Sequence, residues 1–196
     1  GETSAATALA SRDITALWSD YPELWPETVR AIFVSSARWT NRMLSHVPQQ
    51  PSKTDLGILF RRYGYGVPDM ERARRSASNA LTLIVEDAIQ PYKKSATKNA
   101  EHIHNELKLF ELPWPVQELR RLGASEVKLR ISLSTFMLPN PSEPARGNKY
   151  RYASHNLRFK LNRPNEKPGA FIKRISKIAE QTDEGMIEEP DGWMFG

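Results

Sequence analysis

Thr3-Ser4-Ala5 opens a run of small residues that passes into an apolar helical pattern. A serine in that setting has a definite chemistry. Its hydroxyl attacks a carbonyl carbon once a base removes the proton, and N–H donors aimed at the developing oxyanion stabilise the intermediate. In the first turn of a helix, the serine's own N–H is one of the donors without an intrahelical partner, and the helix dipole favours negative charge there. Taken alone, Ser4 would instead serve as a helix N-cap. A reciprocal capping box is missing, because the position three residues on is Thr7 rather than Glu or Gln.

The other candidate groups carry less. Four histidines occur, at 46, 102, 104 and 155. His46 is expected in a loop and His155 between strands. His102 and His104 share a strand face at i, i+2 with Glu106, a spacing that can chelate metal. No third ligand stands out, so a solvated face is the plainer reading. Tyr150-Arg151-Tyr152 with Arg158 and Lys160 mixes aromatics and cations as nucleic-acid binders do, yet the same mixture makes an ordinary outer sheet face. Gly64-x-Gly66 lacks the Gly-Lys-Ser/Thr of a phosphate loop and is expected to be a turn with positive φ. Arg72, Arg74 and Arg75 form a basic cluster, either solvated or paired with the acidic segment 183–191. Trp114, between Pro113 and Pro115, is expected to be a buried anchor at a domain join.

These groups must be held by helices first and strands later. Residues 4–19 predict a helix, apolar nearly all round at its start and therefore expected to be buried there; Tyr21-Pro22 stops it. Pro26 suits a first helical position, where its missing N–H costs nothing, and Val29, Ile32, Phe33 and Ala37 fall on one face of the helix that follows. Residues 41–55 are expected to be a surface loop, and Pro68 to open a third helix running to about Ala77. From Leu81 the pattern alternates. Strands are expected over 81–86, through Ile103, Leu107 and Leu109, over 127–134, where Val127, Leu129, Ile131 and Leu133 alternate with polar residues, and over 157–161. Residues 91–100 read as a polar linker, Phe171 to Ile178 as a short amphipathic helix, and 183–191 as a loop. Strands divided by Pro/Gly/Asn-rich turns suggest a small antiparallel sandwich.

Thr3, Ser4, Ala6 and Thr7 resemble the nucleophile motif of the subtilisin-like serine peptidases, Gly-Thr-Ser-x-Ala-Ser/Thr followed usually by Pro. Glu2 stands where that motif has glycine, and Ala8 where it usually has proline. Pro26-Glu27-Thr28-Val29-Arg30 is similar to the family's next helix, and Gly64-Tyr65-Gly66-Val67-Pro68-Asp69 to the element that closes its catalytic domain. Three elements in the right order are far more specific than one. Glu126 to Leu133 and Leu138-Pro139-Asn140-Pro141 resemble, more weakly, the β-sandwich that some members append.

The resemblance implies an α/β fold: the C-terminal portion of a subtilisin-like catalytic domain over 1–90, a mainly antiparallel β-sandwich-like domain over 91–168, and a helix with an acidic tail over 169–196. It implies Ser4 as the catalytic nucleophile, a polypeptide substrate, and triad Asp and His residues upstream of Ser4, so that the remainder of the catalytic domain is a required partner. Gly1 in place of methionine, and the terminal Gly192-Trp193-Met194-Phe195-Gly196, suggest a piece of a longer chain that is inactive alone. The alternative is a non-catalytic interaction module or a pseudo-peptidase. No cofactor or metal ligand is expected; calcium, common in the family, leaves no loop motif here. The chain has 196 residues, 39% hydrophobic, and a formal charge of +5 from 28 basic and 23 acidic residues. That is enough apolar content for a packed core, and too mild a charge to call for nucleic acid. Cysteine is absent, which removes thiol chemistry and disulfides from the chain. No apolar run is long enough to cross a bilayer, and the compartment stays open between bacterial cytoplasm and secretion.

Overall fold

A computed structural model describes residues 3–78, 81–94, 102–137, 157–163 and 165–183. Helix α1 spans Thr3–Asp20, and α2 spans Pro26–Ser36 with its proline in the first turn. A single helical turn, α3, covers Asn41–Leu44, followed by α4 over Lys53–Tyr63 and α5 over Met70–Ser78. Strands β1 (Tyr92–Lys94) and β2 (His102–His104) pair antiparallel, Tyr92 opposite His104. Helix α6 is Val116–Leu122, and α7 is Pro168–Asp183.

The core lies where α1, α2 and α5 meet. Leu17, Val29, Ile32, Phe33 and Ala73 are buried there, with Ile14, Tyr21, Leu24, Met70 and Ile84 packed around them. The apolar stripe expected on the second helix is the stripe that α2 buries, Ala37 included. The expectation for α1 needs correction. Its second half is anchored through Leu17, but its first turns are exposed, Leu9 at 54%. Small side chains near the start give that end little to bury against α2 and α5.

The segment expected as a loop over 41–55 contains structure at both ends. Thr40 Oγ1 accepts from the Met43 N–H and starts α3. Ser52 and Asp55 form a reciprocal capping box that starts α4: Asp55 accepts from the Ser52 N–H and hydroxyl, and Ser52 Oγ accepts from the Asp55 N–H. These bonds hold the Asp55 carboxyl below its usual range. Leu59 is the fully buried residue of α4.

Most of the expected strands are absent. Residues 81–86, 105–109, 127–134 and 157–161 have no regular secondary structure, and β1–β2 is the one sheet among the described residues. No β-sandwich forms among them. Alternation makes one side of an extended segment apolar, but a strand also needs a partner ladder. The β1–β2 pair shows how this fails locally. Asn105 N–H donates to the Pro91 carbonyl at 2.8 Å, but Pro91 has no N–H to give back. Beyond it, side chains take over: Asn105 Nδ2 donates to the Gln90 carbonyl, Gln90 N–H to Glu106 Oε2, and Lys108 pairs with Asp87 at 3.1 Å.

One more correction concerns a single feature. Trp114 is 50% exposed rather than a buried anchor. The arginines of α5 are solvent-accessible, the first of the two settings expected, while Arg72 pairs with Asp69, Arg75 with Glu71 and Arg74 with Asp20 on α1; the acidic stretch from 184 onward lies outside the described residues. So do His155, the Tyr150-Arg151-Tyr152 motif and the proline-rich turn at 138–141.

Candidate functional site

Ser4 is the second residue of α1 and is exposed. Helix geometry leaves its N–H without an intrahelical acceptor. The neighbouring hydroxyl is occupied differently: Thr7 Oγ1 donates back to the Thr3 carbonyl at 2.9 Å, tying the first turn to the second. No carboxylate lies in this turn of α1, so the positive end of the helix dipole is uncompensated from within its own described residues. The arrangement can present a hydroxyl and a backbone N–H to one incoming carbonyl.

A base is not brought to Ser4 by the described residues. His46 follows α3 and stacks on Tyr63 at the end of α4, with ring centroids 6.0 Å apart. Helices α3 and α4 pack on each other and not on α1. His102 and His104 both lie in β2, which pairs with β1. Among the described residues no three His, Cys, Asp or Glu side chains cluster as metal ligands. No helix there is long and apolar enough to cross a membrane.

Helix α1 packs on α2 and α5, and those two helices are fixed to each other and to the Gly64–Asp69 turn. Glu86 accepts from the Trp25 N–H at 2.7 Å, placing a carboxylate at the start of α2 where no side-chain cap exists. At the other end, Ser36 is buried and doubly satisfied: it donates to the Phe33 carbonyl at 2.7 Å and accepts from the Asp69 N–H at 3.1 Å. Asp69 in turn accepts from the Arg72 N–H at 3.0 Å and so caps α5. One hydroxyl thereby joins the end of α2 to the start of α5.

The glycine-spaced turn is built as its spacing predicts. Gly64 has φ +56° and Gly66 has φ +97°. Val67 and Arg38 exchange two backbone hydrogen bonds, at 2.9 and 3.0 Å, and Trp39 Nε1 donates to the Gly64 carbonyl. The turn is thus pinned against the chain leaving α2.

Sequence reading missed Ser36 and Arg130. Ser36 had a signal: it falls within the apolar stripe of α2, where a polar residue needs internal partners. Arg130 had none, since its partners are backbone carbonyls about ninety residues away.

Comparison with curated proteins and with solved structures gives no match. Residues 1–66 match the model of the subtilase family, a stretch that runs from the Ser4 turn through α2 and α4 to Gly66. This stretch, about a third of the chain, is therefore similar to the subtilase family of serine peptidases.

Proposed function

We propose that this chain is the nucleophile-bearing part of a subtilisin-like serine endopeptidase. Ser4 attacks the scissile carbonyl, and its N–H is one oxyanion donor. The histidine that takes its proton, and the aspartate that orients that histidine, come from the remainder of the catalytic domain, upstream in the family's Asp-His-Ser order. The observation that carries this reading is the placement of Ser4. It sits exposed in the first turn of an 18-residue helix, inside the segment that matches the family. Residues 91–168 act as an appended domain, and the chain alone is inactive for want of its base and second oxyanion donor, the latter worth about 10²–10³ in rate.

The test is a fluorophosphonate probe on the full-length parent. Labelling that maps to Ser4 and is lost in Ser4→Ala supports the proposal. A folded parent that stays unlabelled favours the pseudo-peptidase reading, to which Glu2, in place of the motif's glycine, points.

A further inference from the structure

Residues 130–135 were expected to be part of a strand and instead run along α2, in the opposite direction to it. Two arginines hold them there, one donated by each side. Arg130 Nη1 donates to the carbonyls of Ser35 at 2.5 Å and Ala37 at 3.3 Å, at the C-terminal end of the helix. Arg30, on α2 itself, donates from Nε to Ser134 Oγ at 2.8 Å and from Nη2 to the Thr135 carbonyl at 2.5 Å.

We propose that residues 130–135 form a releasable strap, clamping α2 at two points and linking the region after residue 125 to the α1–α2–α5 core. Three features carry this. The anchors are crossed, so the segment cannot slide along the helix without breaking one. Arg130 lies at the negative end of the helix dipole, where a cation is favoured, and Arg38 Nη1 supplements it on the carbonyls of Ser35 and Ala37. No residue of the strap is fully buried: Arg130, Ser132 and Leu133 are exposed, and Ile131, Ser134 and Thr135 are half-buried. A segment held by guanidinium contacts rather than apolar burial opens locally while the core stays folded. The strap does not depend on Ser4 being a nucleophile.

Limited trypsin digestion of the folded chain tests it, reading cleavage after Lys128 and Arg130 against cleavage after Lys93 and Lys94. Protease rate follows the population of the opened segment. Arg30→Gln removes the distant anchor without touching either cleavage site. It is expected to raise cleavage after Lys128 and Arg130 roughly tenfold, the size of effect for a lost charge-assisted hydrogen bond, and to leave Lys93 and Lys94 unchanged. Equal rates in the two proteins, or a parallel rise at all four sites, overturns the strap. Should Arg30→Gln lose far-ultraviolet ellipticity, Ser134→Ala replaces it, since it alters only the strap. A several-fold rise at the same two sites is then expected, and no rise refutes the proposal.

Discussion

Gly66→Ala is the sharpest test of how the turn after α4 is built. A Cβ at Gly66 would lie 2.3 Å from the Arg38 oxygen, 2.4 Å from the Arg38 carbonyl carbon and 2.7 Å from the Trp39 nitrogen. All three are backbone atoms, and the Arg38–Val67 bridge holds them in place. Relief therefore needs a backbone shift of about 1 Å, which opens the bridge. Two hydrogen bonds weaken, each worth about 1 kcal/mol, and φ +97° costs a further 1–2 kcal/mol or so for an L-residue. The expected loss is about 3–4 kcal/mol. Two controls isolate the terms. Gly64→Ala also has a positive φ, at φ +56° and ψ −134°, but open space around its Cβ, so it should lose only the conformational cost of about 1–3 kcal/mol. Gly57→Ala, in the middle of α4 with nothing nearby, should gain up to about 1 kcal/mol in helix propensity. Urea unfolding followed at 222 nm gives all three from midpoints at a common slope. If Gly66→Ala loses no more than Gly64→Ala, the collision with the Arg38 backbone is not what demands glycine, and the reasoning fails.

Ser36→Ala should cost about 1–3 kcal/mol in the same assay, because it strands the Asp69 N–H in the joint between α2 and α5. Ser52→Ala breaks the capping box of α4 and is expected to cost about 1 kcal/mol, visible as a lower urea midpoint. Glu166 accepts from Arg174 Nε and Nη2, both at 2.8 Å, and from the Arg163 N–H, which together bring its carboxyl from the usual 4.5 to about 2. A lowered carboxylate pKa stabilises the folded state above pH 4.5, and that stability fades as pH falls toward 2. Thermal melts of the chain should drop across that window, and Glu166→Gln should flatten the drop; an unchanged slope in the variant removes Glu166 as its source.

The helices of the first eighty residues were largely legible because local chemistry and packing agree there. Pro26 opens α2, the Val29–Ile32–Phe33 stripe faces the core, and the Gly64-x-Gly66 spacing states its own φ requirement. Helix α4 was missed: the prolines at 48 and 51 pull the reading toward a loop, and the Ser52-x-x-Asp55 box that starts the helix went unread. The later half was over-read. The alternation at 127–133 does not mark a buried face, since Val127, Leu129 and Leu133 are all exposed, and the segment meets the core through Arg130 on a helix rather than through another strand. Ser4 was legible as a helix-start serine because the small-residue motif is local. A catalytic role for it was not legible from the described residues: His46 stacks on Tyr63, and His102 and His104 lie in β2, paired with β1.

Helix α1 is a cantilever. Ala10, Ile14 and Leu17 hold it to the core, and Ser4 lies six residues beyond Ala10, about 9 Å along the axis at 1.5 Å per residue. A tilt of about 10° at the fixed end swings the tip by about 1.6 Å, while a catalytic group must be held to within about 0.5 Å. Under the proposed function, the surface that supplies the proton acceptor would also have to grip the tip and stop its swing, so that one docking event would both brake the helix and complete the chemistry.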